Sequence, residues 1–101
     1  MYKLTTLYHQ VDDEQALETF FSATHLPLVE QLPGLLKREV SRITGKPGGQ
    51  SRYHLMLEAY FESQESYLAA IATPAGLSLI QALLPWHEAK IISWFYAESW
   101  E

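Results

Sequence analysis

Apolar positions along the chain change period several times, and each change marks an element. Residues 2–8 are aromatic, aliphatic and β-branched with rough alternation, which predicts a strand. Asp12 then reads as a helix N-cap, with Gln15 at the capping-box position and Val11 able to staple onto Ala16. Leu17, Phe20, Phe21, Thr24 and Leu28 follow at helical spacing and form one stripe. Pro27 is unfavourable in a helix interior and disfavours helical geometry just before it. The helix over 13–25 is therefore expected to bend or end near His25.

Pro33-Gly34 marks a turn, and residues 37–44 predict a second strand with Val40 and Ile43 as its apolar members. A glycine-rich connection over 45–49 leads to the clearest strand, 53–61. There Tyr53, Leu55, Leu57, Ala59 and Phe61 fit period two and share one face. Ser63 caps a second helix over 64–84, with Tyr67, Leu68 and Ile71 inward. Thr73-Pro74 interrupts it and restarts a helical turn that carries Leu77, Ile80, Leu83 and Leu84 as far as Pro85. A last strand covers 90–98. Strand-helix-strand-strand-helix-strand is the ferredoxin-like βαββαβ order, an α+β domain spanning 1–101. With right-handed crossovers it gives an antiparallel four-stranded sheet in the order fourth, first, third, second, with both helices on one face.

The face left uncovered should be polar, and the pattern says otherwise. Ile92, Trp94 and Tyr96 point one way while Ile91, Phe95 and Ala97 point the other. Met56 and Tyr60 stand beside His54 and Glu58 opposite Leu55 and Leu57. An apolar surface of that extent predicts a cover: a symmetric homodimer packed sheet to sheet is the commonest solution, and the alternative is that the C-terminal tail or the Leu77 to Leu84 helix folds across the sheet.

Composition narrows the function classes. In 101 residues there are 7 basic and 12 acidic side chains, a formal charge of −5, so no electrostatic footprint for nucleic acid or anionic membrane exists. The absence of cysteine excludes disulfides, thiolate metal sites and a thiol nucleophile. No basic-then-apolar leader and no membrane-length apolar run occur, so a cytoplasmic protein is expected. Aromatic residues make up 13% of the chain, a share that favours interfaces and ligand pockets. No phosphate loop, dinucleotide fingerprint or Ser-His-Asp order is present.

The stretch His25-Leu26-Pro27-Leu28, followed by Pro33-Gly34-Leu35, resembles the EthD-type family, named for a protein of fuel-ether degradation. The aromatic-ended strand over 53–61 and the Thr73-Pro74-Ala75-Gly76 turn agree, so the resemblance covers nearly the whole chain. It implies a dimeric α+β barrel shared with muconolactone isomerase-like proteins and cofactor-free quinone-forming monooxygenases. It also implies a place in oxidative catabolism or aromatic polyketide processing, with no cofactor. Ala75 stands where the family tends to carry an acid, which removes that carboxylate from consideration here.

His25 is the candidate catalytic residue: an imidazole with an ordinary pKa near 6.5 can exchange protons at neutral pH. The structural alternative is that it caps the C-terminus of the first helix. Tyr2, Phe21, Tyr60 and Tyr96 are the candidate ligand-binding residues, the three phenols being placed toward the His25 end of the sheet. His9, His54 and His87 are expected at the other end, about 20 Å from His25. A three-histidine metal site there is geometrically open, but exposed strand-end histidines explain the same positions, and no metal is assigned. Two functions remain. One is a cofactor-independent oxidoreductase or lyase acting on a small apolar or aromatic molecule held between helices and sheet. The other is a non-catalytic binding or accessory protein of a degradative pathway using the same pocket.

Overall fold

The computed structural model describes residues 1–100. Strand β1 (Tyr2–His9) leads into helix α1 (Glu14–Phe20), a π-helical segment (Phe21–His25) and helix α2 (Leu26–Glu30). Strands β2 (Lys37–Arg42) and β3 (Tyr53–Phe61) follow, then helices α3 (Gln64–Ile71) and α4 (Pro74–Glu88) and strand β4 (Ile92–Glu98). The four strands are ordered β2-β3-β1-β4, every neighbouring pair antiparallel, as the βαββαβ reading predicts. No single helix among the described residues is long and apolar enough to cross a membrane.

The sequence order of strands leaves β1 central, and its alternation decides which side is the core. Tyr2, Leu4, Thr6 and Tyr8 face the helices and are buried, joined by Leu55, Leu57, Ala59 and Phe61 of β3. Leu17, Phe21 and Val29 close the core from the first helical stretch, and Tyr67, Leu79 and Leu83 from the second. Two ion pairs pin the first stretch to edge strand β2: Glu18 to Arg42 at 2.9 Å and Glu30 to Arg38 at 3.2 Å.

Several boundaries differ from the sequence reading. The N-cap of α1 is Asp13 rather than Asp12, its carboxylate accepting from the Ala16 amide at 3.0 Å. The Gln10 amide still pairs with the Arg52 carbonyl, which keeps the chain extended beyond β1 before the helix starts. Of the two outcomes expected near His25, the helix changes its winding there rather than ending. The Leu26 amide bonds back five residues to the Phe21 carbonyl, and this wider turn precedes Pro27 in the first turn of α2, so the chain stays helical to Glu30. Tyr53 does not share a face with Leu55, because the β1–β3 register shifts between Tyr8 and His9. Tyr53 packs instead against His9 at 5.0 Å, while His54 turns inward to meet Glu18 of α1 at 2.7 Å. Helix α4 runs past Pro85 to Glu88.

The same end of α4 explains why β4 begins at Ile92 and not at Lys90. Lys90 has φ of 62°, its amide bonds to the His87 carbonyl, and the Ile91 amide reaches the Trp86 carbonyl. That pair of bonds is a Schellman closure with lysine at the left-handed position that glycine normally fills.

The uncovered face is less uniformly apolar than the sequence suggests. Its cross-strand rows read Lys37-Tyr60-Lys3-Ala97, then Glu39-Glu58-Thr5-Phe95, then Ser41-Met56-Leu7-Ser93. Lys3 is paired with Glu58 at 2.8 Å, and both Lys3 and Lys37 lie over the Tyr60 ring. Charge is thus gathered toward one end, and the apolar side chains Leu7, Met56 and Phe95 occupy the rows beside it.

Two substitutions test the helix boundaries. Lys90→Gly should raise stability by about 1 kcal/mol, since the left-handed conformation costs a side-chain-bearing residue that much. Thermal unfolding should shift upward by a few degrees. Gly76→Ala should do the reverse and destabilise by more than 2 kcal/mol, because the added Cβ would sit 2.2 Å from the Ile71 carbonyl oxygen.

Candidate functional site

Two places in the covered half of the molecule gather chemistry. The first is a buried pair formed by β1 and the π-helical segment. Strand alternation aims Tyr8 at the helices, and the i, i+4 spacing of Leu17, Phe21 and His25 aims those side chains at the sheet. The Tyr8 hydroxyl and His25 Nδ1 meet at 2.5 Å, with Phe21 edge-on to both rings and Trp86 edge-on to Tyr8. His25 is 1% exposed. Burial lowers its pKa from 6.5 to about 4 and pushes the Tyr8 phenol well above the usual tyrosine range. At neutral pH the two form a neutral hydrogen-bonded pair.

His25 therefore caps no helix end, because the helix continues beyond it, and its ring faces Tyr8. It is also not at the far end of the sheet from His9. Glu18 lies over Arg42 and Glu30 over Arg38, so the helical stretch runs back along the sheet and His25 is only part-way along it. A helix ending at His25 would have put that residue at the far end. Instead it touches Tyr8, the neighbour of His9. The other three histidines are engaged separately. His9 bonds to Ser93 at 3.0 Å, His54 to Glu18 at 2.7 Å, and His87 stacks on Trp94 at 5.1 Å. Among the described residues, no group of three or more His, Cys, Asp or Glu side chains is placed to hold a metal ion.

The second place is a cleft of about 410 Å³ between α3, α4 and β4. The Thr73 hydroxyl caps α4 by accepting from the Gly76 amide, and Gly76 lets the backbone of α4 start against Ile71. Helices α3 and α4 are thereby bent 79° apart. Leu79 and Leu83 go into the core and also floor the cleft; Ile71 and Ile80 form one wall, and Trp94, Phe95 and Tyr96 of edge strand β4 the other. Tyr67 of α3 and Leu4 of β1 complete it, and no charged side chain lines it.

One end of the cleft is a cluster of phenols. Tyr67 lies 5.8 Å from Tyr2 and 5.1 Å from Tyr96, ring centre to ring centre, and its hydroxyl donates to that of Tyr96 at 3.4 Å. Burial, and then the bond to Tyr96, raise the Tyr67 phenol above the ordinary tyrosine value. The Tyr67 hydroxyl therefore holds its proton at any physiological pH and cannot serve as a resting base.

The sequence-derived candidates are thus split. Tyr96 lines the cleft, and Tyr2 packs behind it against Tyr67 and Tyr96. Phe21 belongs with His25 and Tyr8, and Tyr60 stands on the opposite face of the sheet beneath Lys3 and Lys37. Tyr67, Trp94 and Ile80 were not among those candidates. Trp94 and Tyr96 at alternate positions of one strand were a readable signal for an aromatic wall; Tyr67 and Ile80 carried the generic apolar pattern of a helix and nothing more.

Comparison with known proteins places these features in context. An ethyl tert-butyl ether d (EthD) family protein from Bacillus halodurans C-125 has a crystal structure that superposes with a TM-score of 0.90. It is 34% identical, over 98% of this chain and 98% of that one. An uncharacterized 11.0 kDa protein encoded in the thcB-thcC intergenic region of Rhodococcus erythropolis is 29% identical over 76 residues, 75% of this chain and 74% of that protein. Two more distant structures share the fold. One is a dimeric protein of unknown function from Bacteroides fragilis NCTC 9343, with TM-score 0.59, 18% identity and coverage of 97% and 95%. The other is SnoaB, a cofactor-independent oxygenase from Streptomyces nogalater, with TM-score 0.61, 13% identity and coverage of 99% and 92%. No family model matches the chain.

The buried pair has a measurable signature. Between pH 6.5 and about 4 the unfolded chain binds a proton at residue 25 that the native chain refuses. Stability from this group is complete above pH 6.5 and falls as pH drops through that window, by on the order of 3 kcal/mol. Denaturant unfolding of His25→Gln should show a pH dependence shallower than wild type by that amount, with the carboxylate contribution common to both.

Proposed function

The chain belongs to the EthD family, and from that premise we propose that it is a small protein of oxidative catabolism that holds an apolar or aromatic molecule in the cleft between α3, α4 and β4. The observation that carries this reading is the cleft itself: about 410 Å³, walled by aromatic and aliphatic side chains, with the hydroxyls of Tyr67 and Tyr96 at one end. That is the size and character of a small-molecule site. A cofactor-independent oxidoreductase or lyase working there would use the tyrosine hydroxyls to bind and polarise an oxygen of its substrate. His25 has no place among the lining residues, so in this reading its part is to fix the π-helical segment against Tyr8. A non-catalytic binding protein is the second reading, and one observation favours it: the lining contains no histidine, carboxylate, lysine or arginine.

The working form in this proposal is a homodimer joined through the uncovered sheet face. Leu7, Met56 and Phe95 supply its apolar area, and the internal Lys3–Glu58 pair keeps adjacent charges from being stranded. The fold neighbour from Bacteroides fragilis is a dimeric protein, which supports a homodimer without specifying the face.

Both parts are open to direct measurement. Ethylnaphthalene should quench tryptophan fluorescence saturably, and Ile80→Trp, which fills the cleft, should weaken binding at least tenfold; no saturable quenching in the wild type would remove the ligand reading. Sedimentation should return twice the 11.6 kDa chain mass. Met56→Glu should shift that to monomer or aggregate, because an unpaired charge would be buried in the contact.

A further inference from the structure

We propose that the cleft selects uncharged molecules that carry a hydrogen-bond acceptor, such as a ketone, ester or ether oxygen on an apolar body, and turns away carboxylates and other anions. This deepens the proposed function and rests on the cleft being a ligand site. The argument is an inventory of what the lining offers. Six of its nine residues, Leu4, Ile71, Leu79, Ile80, Leu83 and Phe95, carry no side-chain polar atom. The other three are Tyr67, Trp94 and Tyr96. An anion entering this space would lose its hydration with no cation to replace it. Lys3, in the cross-strand row next to that of Leu4, points to the other face of the sheet and is held by Glu58.

The three polar side chains are not equivalent. An indole N–H can only donate. The Tyr67 hydroxyl points its proton at the Tyr96 oxygen over a long 3.4 Å. That contact occupies an acceptor site on Tyr96 and leaves the Tyr96 proton free, on a residue 58% exposed at the cleft mouth. Beside the acceptor lone pairs left on the phenol oxygens, the unspent donor capacity along β4 is therefore that of Trp94 and Tyr96. Two residues apart on one strand, they stand on the same face about 7 Å from each other. A molecule with an acceptor oxygen satisfies that capacity. A hydrocarbon leaves it unused, and a carboxylate meets it at the cost of an unpaired charge.

Binding of ethylnaphthalene, acetylnaphthalene and naphthoate to the wild type and to Tyr96→Phe tests this. The three probes share a ring system and differ in the substituent. Tyr96 is exposed, so removing its hydroxyl leaves the apolar core in place and costs only the long contact from Tyr67. The expected result is that Tyr96→Phe weakens acetylnaphthalene about tenfold and leaves ethylnaphthalene unchanged. Naphthoate should bind the wild type at least tenfold more weakly than acetylnaphthalene. The inference is overturned, with the ligand site still standing, if Tyr96→Phe affects ketone and hydrocarbon alike or if naphthoate binds as tightly as the ketone. Failure of all three probes to bind the wild type overturns the cleft reading itself, and the inference with it.

Discussion

Helix α4 starts so close to the end of α3 that Gly76 has no room for a side chain against the Ile71 carbonyl, and much of the molecule follows from that approach. It sets the 79° bend between the two helices. The bend carries α4 across the sheet, so that Leu79 and Leu83 reach the core while Ile80 is left facing β4. Farther along, Trp86 stacks on Phe20 at 4.5 Å and meets the edge of Tyr8. The cleft at one end of the helix and the closure over the Tyr8–His25 pair at the other are consequences of one backbone contact. The Thr73 hydroxyl secures it from both sides, accepting from the Gly76 amide and donating to the Ala70 carbonyl.

Strand order, strand positions and two of the helix caps were legible because each rests on a local rule that tertiary packing left alone. Ser63 and Thr73-Pro74 cap their helices as their chemistry dictates, and Leu55 to Phe61 alternate without interruption. The misread points are places where a local rule met a competing demand. Pro27 should stop a helix, but one wide turn absorbs it. Lys90 should continue a strand, but the end of α4 needs a residue there with positive φ. Tyr53 fits period two on paper, and the register shift at His54 turns it over so that His54 can reach Glu18. Nothing local to the residue announces any of these.

The site was legible in part for the same reason. An unusual local signal, the imidazole two residues before a proline, points to His25, and the helix does depart from regular spacing there. Its purpose depends on Tyr8, seventeen residues away in sequence and reached only after folding. Tyr96 was identifiable because aromatic alternation on an edge strand is unusual. Tyr67 and Ile80 could be found only once the angle between α3 and α4 was known.

The wide turn over Phe21–His25 also makes this part of the chain a matter of counting. It holds one residue more than a regular helical turn would, so every side chain beyond it, from Leu26 to Glu30, is rotated by about a quarter-turn relative to the residues before it. Val29 is buried only because that offset is present. Replacing Pro27 would remove the obstacle that the wide turn accommodates but not the additional residue, and the surplus would still have to be stored somewhere in the helix. Deleting a single residue of the turn would restore ordinary spacing and leave Val29 facing the core, but it would return Pro27 to a regular helical turn that it fits poorly. Segment length and proline are therefore linked: shortening the segment sets Pro27 against the preceding turn, and replacing Pro27 leaves the surplus residue in place.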